Sequence, residues 1–382
     1  MTPLRLSLTL VLSLVLAGCL PALRGPSATP LSFPGDHGVH REAQTEWWYL
    51  QGLLQDEDGR ELSLFVSSVL HDPRRDRVLG LPVVSWGARV ALMTASMADL
   101  STGAVLSERR TIGVLPGPRQ RLEVQDEAFL LRVRRWRTWG HGDGFSWDVP
   151  VDGGHLTLRV ETSEPPLAVT EIGRSADEGR LALGSAAFSY YALPRVQLVG
   201  AIHRGGESIR VEGVGWLDHQ WGYVYAHEYG GWSWLALTLD DGTDMLLSRV
   251  DPRSAGTPAA LVGVIREPGL RDRALDDLTI EVPSGALYDG SGAYPLELEV
   301  RSRSEGLSLR VCSRLSEAEW DMVPVPIWEA PVVVRGSLHG KPVRGTGFYE
   351  LMMRGDPPAR RLYDSGAAHQ RPSAATAVLG AK

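Results

Sequence analysis

The sequence predicts an all-β protein of antiparallel strands, arranged as barrels or sandwiches in two domains. Hydrophobic residues recur with a period of two rather than 3.6. In "HLTLRVE", Leu156, Leu158 and Val160 alternate with Thr157, Arg159 and Glu161, and "LELEVRS" repeats the scheme at 296, 298 and 300. Compact turn signals join such runs into hairpins. The region between the two termini spans roughly 330 residues, more than one ordinary barrel requires, so two domains are expected.

The first element is a leader. "MTPLRLSLTLVLSLVLAGC" places Arg5 before an apolar run from Leu6 to Leu16, the layout of a secretory signal and short of the roughly 20 residues of a membrane span. Leu16-Ala17-Gly18-Cys19 resembles the lipobox of bacterial lipoproteins, in which the cysteine is lipidated and becomes the first residue. Residues 1–18 are therefore expected to be a signal peptide and Cys19 a membrane anchor on an exported protein, with residues 19–33, rich in Pro, Ser and Gly, as its tether. Of the 2 cysteines this leaves Cys312 alone, so no internal disulfide is expected. Losing Arg5 lowers the Lys+Arg count from 39 to 38 against 46 acids, a net charge of −8. That balance does not favour nucleic acid as a partner. The basic run "LRVRRWRTW" (131–139) reads as the solvated face of a strand.

Hairpins follow along the chain at "DEDG" (56–59), "VDGGH" (151–155), "HRGGES" (203–208), "LDDGTD" (239–244), "RSEGLS" (303–308) and "LHGKP" (338–342). "SEAEWDM" near 316 is the one short helix expected. "WSWLALTL" is apolar on both parities, Trp232, Trp234 and Ala236 on one and Leu235, Leu237 and Leu239 on the other. Such a strand must lie between two apolar regions, as a barrel wall would with a second domain packed outside. The domains are placed at 34–225 and 226–365, with 366–382 a disordered tail.

Nucleophile-elbow, Walker, His-Glu-x-x-His and paired-cysteine zinc motifs are absent. "DHGVH" (36–40) carries two histidines three apart. No third ligand stands at a recognisable spacing, so no metal or other cofactor is assigned and the pair reads as loop residues at the domain entrance. In "TEWWYLQG" (45–52), Glu46 shares a strand face with Trp48, and Trp47 with Tyr49. Glu46 then either lines a pocket walled by an indole or is a solvated carboxylate beside a core-edge Trp48. In "GVGWLDHQWG" (213–222), Asp218 shares a face with Trp216. Among indoles its pKa would rise and leave a neutral acid. The alternative is that Asp218 and His219 only brace a turn.

"DHGVHREAQTEWWYLQG", "GVGWLDHQWG", "WSWLALTLDDGTDML" and "IWEAPVVVRGSLHGKPVRGTGFYELMMRG" together resemble the signature segments of the carotenoid 1,2-hydratase and AttH group, from about Pro34 to Gly355. The resemblance implies two packed lipocalin-like antiparallel barrels and a ligand site lined by Asp218, His219 and Trp221, with Glu46 and Trp47 beside it. It also implies a lipophilic, isoprenoid-like ligand and, in the best-known members, hydration of a C=C bond. That chemistry needs a proton donor, an environment for a tertiary cation and a held water. Asp218 would supply the proton, His219 would orient the water, and the indoles of Trp216, Trp221, Trp232 or Trp234 would stabilise the cation. A non-catalytic carrier of lipophilic molecules and, third, a secreted hydrolase are the alternatives. The oligomeric state is not legible.

Overall fold

A computed structural model of the chain describes residues 30–78, 81–82, 87–125, 128–142, 144–162, 164–169, 188–222, 229–252, 259–322 and 325–353. The expected signal peptide, Cys19, the tether up to residue 29, the domain boundary at 225/226 and the tail lie outside the described residues.

The fold is nearly all β. In chain order the strands up to Gly222 are β1 (Thr45–Asp56), β2 (Glu61–His71), β3 (Arg77–Val78), β4 (Leu81–Pro82), β5 (Arg89–Asp99), β6 (Val105–Leu115), β7 (Gln120–Gln125), β8 (Ala128–Val133), β9 (Trp136–His141), β10 (Gly144–Val151), β11 (Gly154–Glu161), β12 (Phe188–Arg204) and β13 (Glu207–Gly222). Those that follow are β14 (Tyr229–Leu239), β15 (Asp244–Pro252), β16 (Ala260–Arg266), β17 (Arg273–Ala274), β18 (Thr279–Glu281), β19 (Glu297–Ser302), β20 (Leu307–Ser313), β21 (Glu319–Met322), β22 (Val325–Leu338) and β23 (Lys341–Met353). Two 3-10 turns, Gly35–His37 and Pro73–Arg75, accompany them.

These strands form two curled antiparallel sheets, a barrel and a half-barrel of lipocalin-like type. The first has 11 strands in the order β6-β5-β2-β1-β13-β12-β11-β10-β9-β8-β7, and it curls until β10 returns against β5 and β6. The second has 10, in the order β17-β16-β15-β14-β23-β22-β20-β19-β18 with β21 on β22. In each sheet the first long strand pairs with the last, β1 with β13 and β14 with β23. Every hairpin signal marks a real turn; at the β12–β13 turn, Gly205 and Gly206 take φ of 61° and 88°, a left-handed path that side chains resist.

Strict alternation divides the cores. Leu156, Leu158 and Val160 of β11 enter the barrel interior with Trp48, Phe129 and Trp147. Leu235, Leu237 and Leu239 of β14 enter the half-barrel core, while Trp234 and Ala236 on the other face of β14 meet Tyr190, Trp216 and Phe348 in a third cluster between the two sheets. The doubly apolar strand is thus buried on both sides, as its sequence required. Cys312 lies half-buried on β20, opposite in parity to Leu309 and Val311, and burial pushes its thiol pKa up. Arg132, Arg134 and Arg135 are exposed, although the last two form the β8–β9 turn and only Arg132 is on a strand.

The helix expected near 316 does not form. The segment runs irregularly into β21, which pairs with β22, because an extended chain buries Trp320 and lets its Nε1 donate to the Glu329 carbonyl at 3.2 Å. Tertiary burial overrides a weak local preference there. Leu235→Ala is expected to cost about 2–5 kcal/mol in urea denaturation, since its side chain is fully enclosed. A loss below about 1 kcal/mol would contradict its place in the core.

Candidate functional site

The pairing of β1 with β13 positions nearly every residue of interest. Glu46 lies opposite Trp221, Trp48 opposite His219, Tyr49 opposite Asp218 and Gln51 opposite Trp216. Directly opposed residues share a face and successive ones alternate. Glu46, Trp48, His219 and Trp221 therefore point into the barrel, while Tyr49, Gln51, Trp216 and Asp218 point out toward the half-barrel.

This geometry corrects the expectation of one site holding both Asp218 and His219: the sheet separates them. Trp216 and Trp234 belong with Asp218, whereas Glu46, Trp48 and Trp221 belong with His219. Trp232 is half-buried on the half-barrel side, where its Nε1 donates to Glu350. Trp47, half-buried on the outer face, joins neither group.

Inside the barrel, at its end nearest Thr45 and Gly222, a chain of polar groups sits among aromatic rings. Glu46 Oε1 is 2.8 Å from His40 Nδ1 and 3.0 Å from His219 Nε2, and both carboxylate oxygens accept from the His40 backbone N–H. His40 Nε2 reaches Asp36 at 3.1 Å. His219 Nδ1 is 3.1 Å from the Tyr191 hydroxyl, which is also 2.5 Å from His37 Nδ1. The indole of Trp221 stacks on His40 at 3.8 Å and that of Trp48 on His219 at 4.6 Å.

Glu46 is neither solvated nor merely beside an indole, being 1% exposed. Burial alone would raise its pKa, but the hydrogen bonds from His219 and His40 bring it to about 2. Burial likewise works against charge on His40, yet its bonds to Asp36 and Glu46 hold it at about 9. For His219 burial prevails and the pKa falls, leaving a neutral ring. An ionised Glu46 can only accept, so His219 carries its proton on Nε2 and accepts at Nδ1 from Tyr191. His37 then donates to the same phenol oxygen.

On the outer face three carboxyl groups lie buried between the sheets. Trp216 Nε1 donates to Asp218 Oδ1 at 2.9 Å, and Asp218 also bonds Tyr190, whose hydroxyl accepts from Trp234 Nε1 at 2.9 Å. Glu329 of β22 accepts from the Tyr49 hydroxyl and the Gln51 amide, and bonds Glu350 of β23, its direct cross-strand neighbour. Loss of hydration raises the pKa of Asp218 and Glu329 well above the usual range, reinforced at each by the charge of Glu350; Glu350 is itself raised by burial. Among the described residues no lysine or arginine forms an ion pair with any of the three. A narrow cleft between the sheets, lined by Gln51, Phe65, Ser96, Trp320 and Phe348, reaches one of the three, Glu329. Gln51 Oε1 has no hydrogen-bond partner among the described residues.

The AttH-like family model matches residues 24–354, most of the sequence. The chain belongs to the AttH-like family. Among solved structures, this AttH-like chain is similar to a putative AttH from Nitrosomonas europaea, with 21% identity, a TM-score of 0.69, and 86% of this chain and 99% of that one covered. It is also similar to kievitone hydratase from Nectria haematococca, at 14% identity and TM-score 0.62 over 87% and 96% of the two chains. A third is CghA bound to Sch210972, at 15% identity and TM-score 0.54 over 87% and 95%. At such identities the likeness is one of fold. No curated protein matches the sequence.

Sequence alone does not single out Glu329 and Glu350, since each looks like one more strand residue. The available signal was an acid with apolar neighbours on both sides, in "IWEAPV" and "FYELMM". A carboxyl whose pKa is higher in the fold than in the unfolded chain keeps a proton that the unfolded chain gives up, so stability falls as pH rises above the unfolded value. For Glu329 that value is 4.5. Urea titrations between about pH 5 and 8 should show the wild type losing stability relative to Glu329→Gln, with the difference shrinking toward pH 4.5. Parallel curves would mean that Glu329 is ionised in the fold.

Proposed function

We propose that the protein binds a lipophilic, alkene-bearing molecule in the cleft between barrel and half-barrel and hydrates a C=C bond by acid catalysis. The observation that carries this reading is the set of buried carboxyl groups between barrel and half-barrel, of which Glu329, its pKa raised well above the usual range by loss of hydration, lines the cleft. The hydratase among the similar folds is in keeping with it.

Glu329 is the proton donor in this scheme. Its proton passes to one alkene carbon and leaves a tertiary cation on the other; water adds to that cation and returns its proton to the carboxylate, so the enzyme ends unchanged. The indole of Trp320, which lines the cleft beside Glu329, would stabilise the cation, a contact contributing roughly 2 kcal/mol when desolvated. Asp218 sits deeper, behind Tyr190 and Trp216, and holds its proton for the same physical reason. Export and membrane attachment through a lipidated Cys19 complete the proposal.

With an acyclic isoprenoid polyene as substrate, Glu329→Gln is expected to lower turnover by about 10²–10⁴-fold, the usual contribution of a positioned acid, while quenching of tryptophan fluorescence by the polyene keeps its midpoint. Asp218→Asn tests the deeper carboxyl in the same way. Full turnover in both variants would remove acid catalysis, and saturable quenching with no mass change in the wild type would identify a carrier instead. Replacing Cys19 with Ala should move the protein from the membrane fraction to the soluble one; an unchanged distribution would end the anchor proposal.

A further inference from the structure

The barrel-end cluster has no part in the proposed hydration, and its chemistry is of another kind. We propose that His40, Glu46 and His219 form a binding site for a divalent first-row transition ion of the Zn2+ type, independent of the site between the sheets.

Three ligand atoms, His40 Nδ1, a Glu46 carboxylate oxygen and His219 Nε2, lie within 4.8 Å of one another. Two nitrogens and an oxygen bound to one such ion stand about 2.9–3.4 Å apart from nitrogen to oxygen, given metal–ligand bonds of about 2.0–2.2 Å. The observed nitrogen–oxygen separations, 2.8 and 3.0 Å, lie close to that range, and the two nitrogens, within 4.8 Å of each other, close on the ion by rotation of the partly exposed His40 ring. Imidazole nitrogens select a borderline transition ion over Ca2+ or Mg2+, which prefer all-oxygen sites.

The surroundings have the form that metal-binding histidines require. A ligating imidazole places its second nitrogen against an oxygen that fixes the ring. His40 does so through Asp36 at 3.1 Å and His219 through Tyr191 at 3.1 Å. Tyr191 can serve with or without the ion. When His219 Nε2 takes a metal, its Nδ1–H donates to the phenol oxygen, and the phenol donates onward to His37 Nδ1, 2.5 Å away. The chain of bonds reverses by shifting protons alone, with His37 passing from its Nδ1–H to its Nε2–H tautomer. The stacked indoles of Trp221 and Trp48 hold both ring planes. The ion displaces the proton that His40 otherwise carries on Nδ1 toward Glu46, and two carboxylates, Asp36 and Glu46, then balance a dication beside two neutral imidazoles. His40 and Asp36, whose side chains are 13% and 24% exposed, form the approach from solvent, and His219 is closed off at 0%.

The test uses the untagged full chain, dialysed against a chelator and titrated with Co2+ and then Zn2+. One ion per chain is expected, with visible Co2+ absorption that Zn2+ removes and Mg2+ does not. His40→Gln should abolish the absorption, and Asp36→Asn should weaken binding about 10–100-fold, as for other outer-shell partners. Both positions are partly exposed, so these variants keep the barrel core, checked by near-UV circular dichroism. The stacked surface pair His155 and His203, with rings 4.5 Å apart, is the control for chance uptake. A His155→Ala/His203→Ala double variant should still take one ion. No uptake by the wild type, uptake that survives His40→Gln, or uptake lost with the surface pair would each overturn the site.

Discussion

The antiparallel seam between β1 and β13 is the constraint on which the rest depends. It closes the barrel by joining the first strand of the sheet to one formed about 170 residues later, and its register decides which side chains meet. Because the backbone alternates, one pair of strands furnishes two chemically distinct surfaces a single sheet apart. Glu46 and His219 hang from its inner side and Tyr49, Gln51 and Asp218 from its outer side. A one-residue slip would exchange the two sets and bury each in the wrong surroundings.

Carboxyl groups on the two sides take opposite protonation states, and the reason is who stands beside them. Glu46 is as deeply buried as Glu329, yet two imidazoles hold it ionised, whereas Glu329 faces another acid and loses its charge. Burial acts in the same direction on both; partners decide the outcome. The barrel interior therefore stores fixed charge, and the junction between the sheets stores protons. Hydrogen bonding keeps the second arrangement tolerable, since Tyr49, Gln51, Trp216, Trp232 and Tyr190 supply donors that a buried carboxyl would otherwise lack.

Much of this was legible in the sequence because strand physics is local. Period-two alternation at 156–160 and 296–300, glycine-rich turns and the doubly apolar "WSWLALTL" each report on their own neighbourhood, and each matches the fold. The parity of Trp216 and Asp218 was equally readable, and so was the raised pKa of an acid among indoles. What sequence spacing could not convey is which strands pair. His40 and Glu46 lie 6 positions apart, but the third member of their cluster, His219, is 173 positions from Glu46 and arrives only through the seam. Glu329 meets Tyr49 across 280 positions for the same reason. Asp218 and His219 are adjacent in the chain, and adjacency in a strand is what sends their side chains to opposite faces. The short helix near 316 failed because Trp320 gains more from burial than seven residues gain from coiling.

The seam also sets an order of assembly. As the polypeptide leaves the ribosome, Glu46 emerges far ahead of His219, and until that histidine appears the carboxylate stays hydrated. Drying the barrel's mouth and zipping its last strand are then a single event, delayed by the entropy of gathering so long a loop. A chain that ended before Trp216 would lack the strand segment that brings His219 to Glu46, and the carboxylate would keep its water.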